Sequence, residues 1–403
     1  MAWTSLEFIR NYLFTGFPWE NLGYSQYLNL PVIQVAEYTG VYGVSCAIML
    51  VNASLYVLLE GSLREGTIRW PRWSGWAGVV LSACVLIGLY AFGSSRLTMV
   101  QEAMSSAPRF KVGLVQGNID QDRKWDPAFQ EETMESYFRL SRSASGDAPE
   151  LIIWPETAAP FYFQSDLRYR PRILHLPMEL KAYLLVGSIA YEYTGKKMKY
   201  FNSAFLISTE GLEVGRYDKL HMVPFGEYLP FPFYFLYPLF DKIIRAIGDF
   251  TPGKEPRLLK LPQGKFGVLI CYEIIFPELS RRLARDGANF LVTITNDAWF
   301  GHTSAPYQHL SMATFRAVET RRFVARAANT GISGIVDMTG RIVQSTDIFV
   351  PAAISGDVRL GSTMTFYTLY GDVFSWACLF ITVFLLGTCR AGRALNFSSV
   401  LHT

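Results

Sequence analysis

Residues 38–59 run for 22 positions without a charge, closed off by Glu37 and Glu60. A helix needs roughly 20 apolar residues to cross the hydrocarbon core of a bilayer, so this stretch is long enough to span one. Residues 74–95 form a second run of 22, rich in Val, Leu, Ile and Ala, and residues 373–389 a third of 17 between Asp372 and Arg390. The first two read as membrane spans. The third is at the short limit, where a buried core helix looks the same, and its position beside the end of the chain favours an anchor. Together the runs account for a chain that is 50% hydrophobic and only 18% charged, an apolar balance for a soluble protein of this size. They also fix the organisation. A membrane region covers 1–95, a globular domain 96–357 is inserted between spans, and 358–403 holds the last span and a tail.

Arginine near span ends marks the cytoplasmic side. Arg64, Arg69 and Arg72 lie between the first two spans, and Arg390 and Arg393 follow the third. Both segments therefore lie inside, and everything from about Arg96 to Asp372 lies outside. The expectation is a multi-pass protein of a bacterial inner membrane with its large domain on the periplasmic or outer face. A net charge of +3 without a basic run argues against a nucleic-acid partner. Glu7 and Arg10 interrupt any apolar core of a cleaved signal peptide.

Of the five cysteines, Cys46, Cys84, Cys378 and Cys389 fall in the spans and Cys271 stands alone in the outer domain. Oxidising compartments favour paired cysteines or none, so an unpaired one suggests a reactive role. Its setting, KFGVLICYEIIFPE at 265–278, puts the thiol where a strand gives way to a turn. Cysteine has appreciable thiolate near neutral pH and suits acyl chemistry. The plain alternative is a small core hydrophobe.

Around it the domain alternates short strands with helices. Strands are expected at 110–116, 151–154, 184–189, 204–207, 213–217, 266–271, 289–295 and, last, 332–338, with helices at 127–144, 278–285 and 306–327. Residues 94–108 read as a small-residue linker, and residues 1–36 as aromatic and irregular. The pattern predicts a layered α/β domain. Glu156, Lys219 and Cys271 stand at or just past separate strand ends, and an acid, an amine and a thiol so placed can converge on one sheet edge. Glu156 would then take the thiol proton, and Lys219 with the N–H after Cys271 would stabilise an oxyanion. Singly, each has a duller reading as a surface carboxylate, a solvated lysine or a core thiol.

WPET at 154–157, YDKLHMVPFGEYLP at 217–230, CYEIIFPE at 271–278 and NDAWFG at 296–301 resemble the carbon–nitrogen hydrolase (nitrilase-like) superfamily. With the spans, QGNIDQDRKWDP at 116–127 and FTGFPW at 14–19, nearly the whole chain is similar to one branch, the apolipoprotein N-acyltransferases, which usually carry several more membrane helices before FTGFPW. The resemblance implies a nitrilase-like α-β-β-α sandwich inserted between transmembrane helices, and a triad of Glu156, Lys219 and Cys271. Further family positions fall on Trp125, Glu227, Tyr272 and Glu273. It also implies acyl-thioester chemistry, a phospholipid donor, a diacylglyceryl-cysteine at a lipoprotein N-terminus as acceptor, and no metal or organic cofactor. A membrane-tethered amidase or nitrilase-type hydrolase is the alternative.

Four further features stand out. Glu227 positions Lys219 or makes a structural salt bridge. Residues 229–240, with six aromatics, three prolines and no charge up to Phe240, form a lipid-facing lid that excludes water, or a core segment. His302 and His309, seven apart, share a helix face but lack companions for a metal set. Arg316, Arg321, Arg322 and Arg326 are expected on one helix, either meeting lipid phosphate or, more commonly, solvated or salt-bridged.

Overall fold

Alternation with period two decides which way each strand faces. A computed structural model describes residues 1–65, 73–195, 197–228 and 250–400. Its contacts divide the chain into two compact units, 99–369 and 1–98 with 370–403. In the larger unit the strands are β1 Arg109–Gln116, β2 Leu151–Ile153, β3 Ala159–Tyr162, β4 Tyr183–Thr194, β5 Lys197–Ile207, β6 Glu213–Asp218, β7 Leu258–Leu261, β8 Gly264–Ile270, β9 Phe290–Thr295, β10 Val324–Ala328, β11 Gly334–Val336, β12 Ile342–Ser345 and β13 Ala352–Arg359. One sheet runs β13-β1-β2-β4-β5-β6 with β3 beside β4, the other β12-β11-β10-β9-β8-β7.

Phe110, Val112 and Leu114 of β1, Leu151 and Ile153 of β2 and Ala204 and Leu206 of β5 all point inward. They meet Phe266, Val268 and Ile270 of β8 and Phe290, Val292 and Ile294 of β9 in one core. Each such Val, Leu, Ile or Phe contributes about 1.5–3 kcal/mol by leaving water. The alternate residues Val115, Ile152, Leu184, Val186 and Phe205 face outward and pack on Met134, Tyr137, Phe138, Ile173 and Leu176. Those belong to the helices Gln130–Ala144 and Arg170–Leu180. Parallel pairs β1-β2, β2-β4, β8-β9 and β9-β10 require long crossovers. The same two helices, with Pro277–Arg285 and Ala305–Thr320 on the other sheet, supply them. Layers of helix, sheet, sheet and helix result.

Several expectations are corrected. Residues 94–108 are not a linker, because the helix Trp73–Ser106 continues through them; RLTMVQEAMSS contains good helix formers and no breaker. The chain start is helical over Ala2–Arg10, where buried Glu7 accepts hydrogen bonds from the Trp3 indole and the Leu22 amide. The helix at 305 ends at Thr320, not 327, because Arg321 turns left-handed (φ 49°) and β10 follows. Strand β11 is not the last, since β12 and β13 follow it and β13 returns to pair with β1. The four arginines do not share a helix face toward lipid or water. All are buried, with Arg316 against Glu319, Arg321 on the Met338 carbonyl, Arg322 on the Ala288 and Thr363 carbonyls and Arg326 on Asp297. Residues 229–240, Arg69 and Arg72 lie outside the described residues.

Among the described residues, two apolar stretches are long enough to cross a membrane, Val41–Glu60 and Gly75–Ser106, while Val373–Thr388 is a shorter apolar stretch. Helix Trp73–Ser106 has 34 residues. At about 1.5 Å per residue it outruns a hydrocarbon core of roughly 30 Å.

Candidate active site

The buried run of β8 stops at Ile270 and the chain turns sharply at Cys271, whose φ is 53°. Left-handed backbone at a non-glycine residue costs on the order of 1–3 kcal/mol and persists only where its surroundings impose it. Two contacts impose it. Glu273 accepts the Ile270 amide (2.7 Å), and a His309 ring nitrogen lies 3.2 Å from the Cys271 carbonyl oxygen. Cys271 is thereby held partly buried at the head of a short 3-10 turn, Cys271–Ile275.

Glu273, fully buried, also accepts the Leu220 amide (2.6 Å), the His221 amide (3.1 Å) and the Tyr217 hydroxyl (3.0 Å to each oxygen). Burial pushes its carboxyl up to about 7 against the pull of those amides. One side chain thus ties the end of β6, which carries Lys219, to the Cys271 turn. Neighbouring Tyr272 is mostly buried and packs edge-on to Phe276.

Lys219 lies between two carboxylates, with Nζ 2.9 Å from Glu227 Oε1 and 3.6 Å from Glu156 Oε1. Burial alone would lower its pKa, but Glu227, Glu156 and Cys271 raise it above the ordinary lysine value, so it stays an ammonium ion. Glu156 follows β2. Its Oε1 accepts the Asn202 amide group at 2.7 Å and its Oε2 the Asn296 backbone N–H at 3.0 Å. Asn202 also donates to Glu227 at 3.2 Å, and the Val223 amide holds the other Glu227 oxygen at 2.8 Å.

Burial pushes the Cys271 thiol up to about 12; Glu156 and Asp297 add to that, while Lys219 and the Thr295 hydroxyl oppose it. The thiol is protonated at neutral pH, and a base must take its proton as it attacks.

Close approach sets the position of Glu156. A Cβ on Gly187 of β4 would sit 2.2 Å from the Pro155 carbonyl oxygen and 2.8 Å from the Glu156 Cα. Gly187→Ala is therefore expected to push the Glu156 turn outward. The overpacking costs about 1–3 kcal/mol, and activity falls by about 10²-fold as the carboxylate moves. A thermal melt and an activity assay of that variant check both.

The sequence profile described as carbon-nitrogen hydrolase matches residues 111–365, and that of the apolipoprotein N-acyltransferase N-terminal domain matches residues 1–54. An apolipoprotein N-acyltransferase of Geobacter metallireducens is 50% identical over 94% of this chain and 71% of its own length. The chain belongs to the apolipoprotein N-acyltransferase family. Another apolipoprotein N-acyltransferase, from Methylococcus capsulatus, is 35% identical over 99% of this chain and 74% of its own length. Among solved structures, Saccharomyces cerevisiae Nit3, a member of the nitrilase superfamily, has a TM-score of 0.48 and 20% identity, covering 62% of this chain and 90% of that one. Apolipoprotein N-acyltransferases are membrane-bound, in keeping with the two apolar helices long enough to span.

Of the residues singled out in the sequence, Glu156 and Glu227 each come within ion-pair distance of Lys219, with Cys271 near enough to feel the charges of Glu156 and Lys219. Glu227 contacts Lys219 directly. Trp125, 37% exposed, closes the short turn Gln121–Lys124. His302 and His309 do not share a helix face. His302 precedes the helix and stacks on Phe349, whereas His309 is buried within it.

Two residues escaped sequence reasoning. Asn202 bridges both carboxylates, and its signal was a polar residue inside the apolar run of β5. Lys124 is buried and donates from Nζ to the Glu156 carbonyl oxygen at 3.1 Å. Burial brings its pKa down to about 8, although Glu156 and Cys271 pull the other way. Flanked by Asp122 and Arg123, it looked like one more solvated charge.

Proposed function

We propose that Cys271 accepts a fatty acyl chain from a phospholipid as a thioester and passes it to the α-amino group of a diacylglyceryl-cysteine at a lipoprotein N-terminus. What supports this most is Lys219, a buried ammonium ion held between Glu156 and Glu227 beside a protonated thiol. Glu156 takes the thiol proton as sulfur attacks the ester carbonyl. The oxyanion that forms is stabilised by Lys219 and by the backbone N–H of Tyr272. The C–O bond then breaks, and the leaving alkoxide takes the proton from Glu156 to depart as lysophospholipid. In the second half the amine attacks the thioester and gives up a proton to Glu156. The C–S bond breaks, and the proton returns to the sulfur. Lys219 stays charged throughout and serves as an electrostatic group, not a base. Glu227 keeps it there.

The arginine pattern supports a topology in which residues 96–372 face the periplasm of a bacterial inner membrane, next to the lipid that supplies the chain.

Mass spectrometry of detergent-solubilised protein incubated with phospholipid tests the reading. An acyl mass on the peptide containing Cys271, removed by hydroxylamine, is expected. Its absence, together with release of ammonia from small amides, would replace the reading with a tethered hydrolase.

A further inference from the structure

Behind the Cys271 turn lies a buried cluster that the mechanism does not use. Asp297, His309 and Arg326 are each 0–1% exposed. His309 Nδ1 is 3.0 Å from Asp297 Oδ1 and 3.1 Å from the nearer Arg326 guanidinium nitrogen. That same guanidinium nitrogen donates to Asp297 Oδ2 at 2.7 Å, and Arg326 Nε donates to the Ile332 carbonyl oxygen at 3.1 Å. Thr295 donates to Asp297 Oδ1 at 3.0 Å. At the far side of the ring, His309 Nε2 is 3.2 Å from the Cys271 carbonyl oxygen. Gly331 presses on this cluster so closely that a Cβ there would lie 2.1 Å from Asp297 Oδ2.

A carbonyl oxygen only accepts, so the contact with Cys271 requires a proton on Nε2. Nδ1 faces both an acceptor, Asp297 Oδ1 at 3.0 Å, and a donor, the Arg326 guanidinium at 3.1 Å, so these contacts fix the proton on Nε2 and leave Nδ1 open. Burial and the Arg326 charge hold the His309 pKa below the ordinary histidine value, against the pull of Asp297. Asp297 balances the arginine, its carboxyl held well below the usual range: burial opposes this, and Arg326 and His309 outweigh it.

We propose that His309, which donates from Nε2 to the Cys271 carbonyl, is a positioning residue that fixes the peptide plane between Cys271 and Tyr272 and so aims the oxyanion donor. The carbonyl and the following N–H of a trans peptide point in opposite directions. A hydrogen bond from His309 to the Cys271 carbonyl therefore turns the Tyr272 N–H away from the buried cluster. It also holds Cys271 in its left-handed conformation. The inference rests on Cys271 being the nucleophile.

Glutamine places an amide N–H where Nε2 stands, and asparagine reaches only as far as Nδ1. His309→Gln is expected to keep the rate of Cys271 acylation close to that of the unaltered protein. His309→Asn is expected to lower that rate by ~10²-fold with the phospholipid KM unchanged. Melting temperatures of the two variants are measured alongside. Equal rates for both variants, or a loss for both that follows the loss of melting temperature, would overturn the proposal. If neither variant folds, ¹⁵N spectra of histidine-labelled protein decide, with resonances assigned by replacing the other histidines one at a time. A proton on Nδ1 alone at neutral pH would overturn it too. Lack of any acyl group on Cys271 in the unaltered protein would instead sink the underlying reading of the nucleophile.

Discussion

Cys271→Ser is expected to leave a folded protein that forms no detectable acyl-enzyme and transfers acyl chains on the order of 10³-fold or more slowly. Sulfur and oxygen differ little in size, so the turn and its contacts through Glu273 and His309 survive the change. The chemistry does not. In this setting burial and two carboxylates already push the thiol up to about 12, and a serine hydroxyl in the same field is far harder to deprotonate. Glu156 can take a proton from the one and not, at a useful rate, from the other. An acyl-transfer assay on the variant, with a thermal melt to show that it folds, checks the result. Transfer at an undiminished rate would remove Cys271 from the reaction.

Lys219→Met should produce the largest change in stability. It leaves Glu156 and Glu227, less than a tenth exposed, without the ammonium ion that lies 3.6 Å from one and 2.9 Å from the other. Removing one partner of a buried ion pair costs about 3–5 kcal/mol. In the variant the two carboxylates face each other in a poorly hydrated site with no cation between them. Melting temperatures of both proteins test it, and a variant that melts with the unaltered protein would mean that the amine is not holding two charges apart. Acyl transfer should fall as well, because the oxyanion loses its nearest cation.

Much of the domain could be read from residues because burial repeats every second position. The expected runs 266–271 and 289–295 announce themselves as strands between two layers, and the structure moves their ends by no more than two residues. Helix Trp73–Ser106 was harder. Arg96 and Glu102 interrupt its apolar run, and a charge looks like the end of a membrane span even where the backbone continues; Arg96 is in fact paired with Glu37 at 2.6 Å. Strands β12 and β13 lack a clean alternation because their residues are half-exposed. The arginines misled for another reason. Guanidinium groups normally avoid the interior, but carbonyl oxygens freed at chain turns, such as those of Ala288 and Met338, can hold them there. No local pattern reveals which carbonyls those will be.

The candidate site shows the same limit. Glu156, Lys219 and Cys271 were visible because each stands at a strand end, where side chains of distant segments meet. Asn202, Lys124 and Asp297 act through partners far off in sequence, Asn202 on Glu156 46 positions away and Lys124 on its carbonyl 32 positions away. His309 lacked companions for a metal set in the sequence, and in the structure it is buried. What satisfies it, an aspartate 12 residues earlier and an arginine 17 later, appears only once β9 and β10 lie side by side.

Strand β13 runs antiparallel to β1 along its whole length, so that Arg109 faces Arg359 across the ladder. The first and last strands of this unit therefore begin and finish side by side at the same end of one sheet. A module whose entrance and exit are neighbours can be spliced into a loop of an unrelated host without stretching either strand of the cut, as domain insertions commonly are.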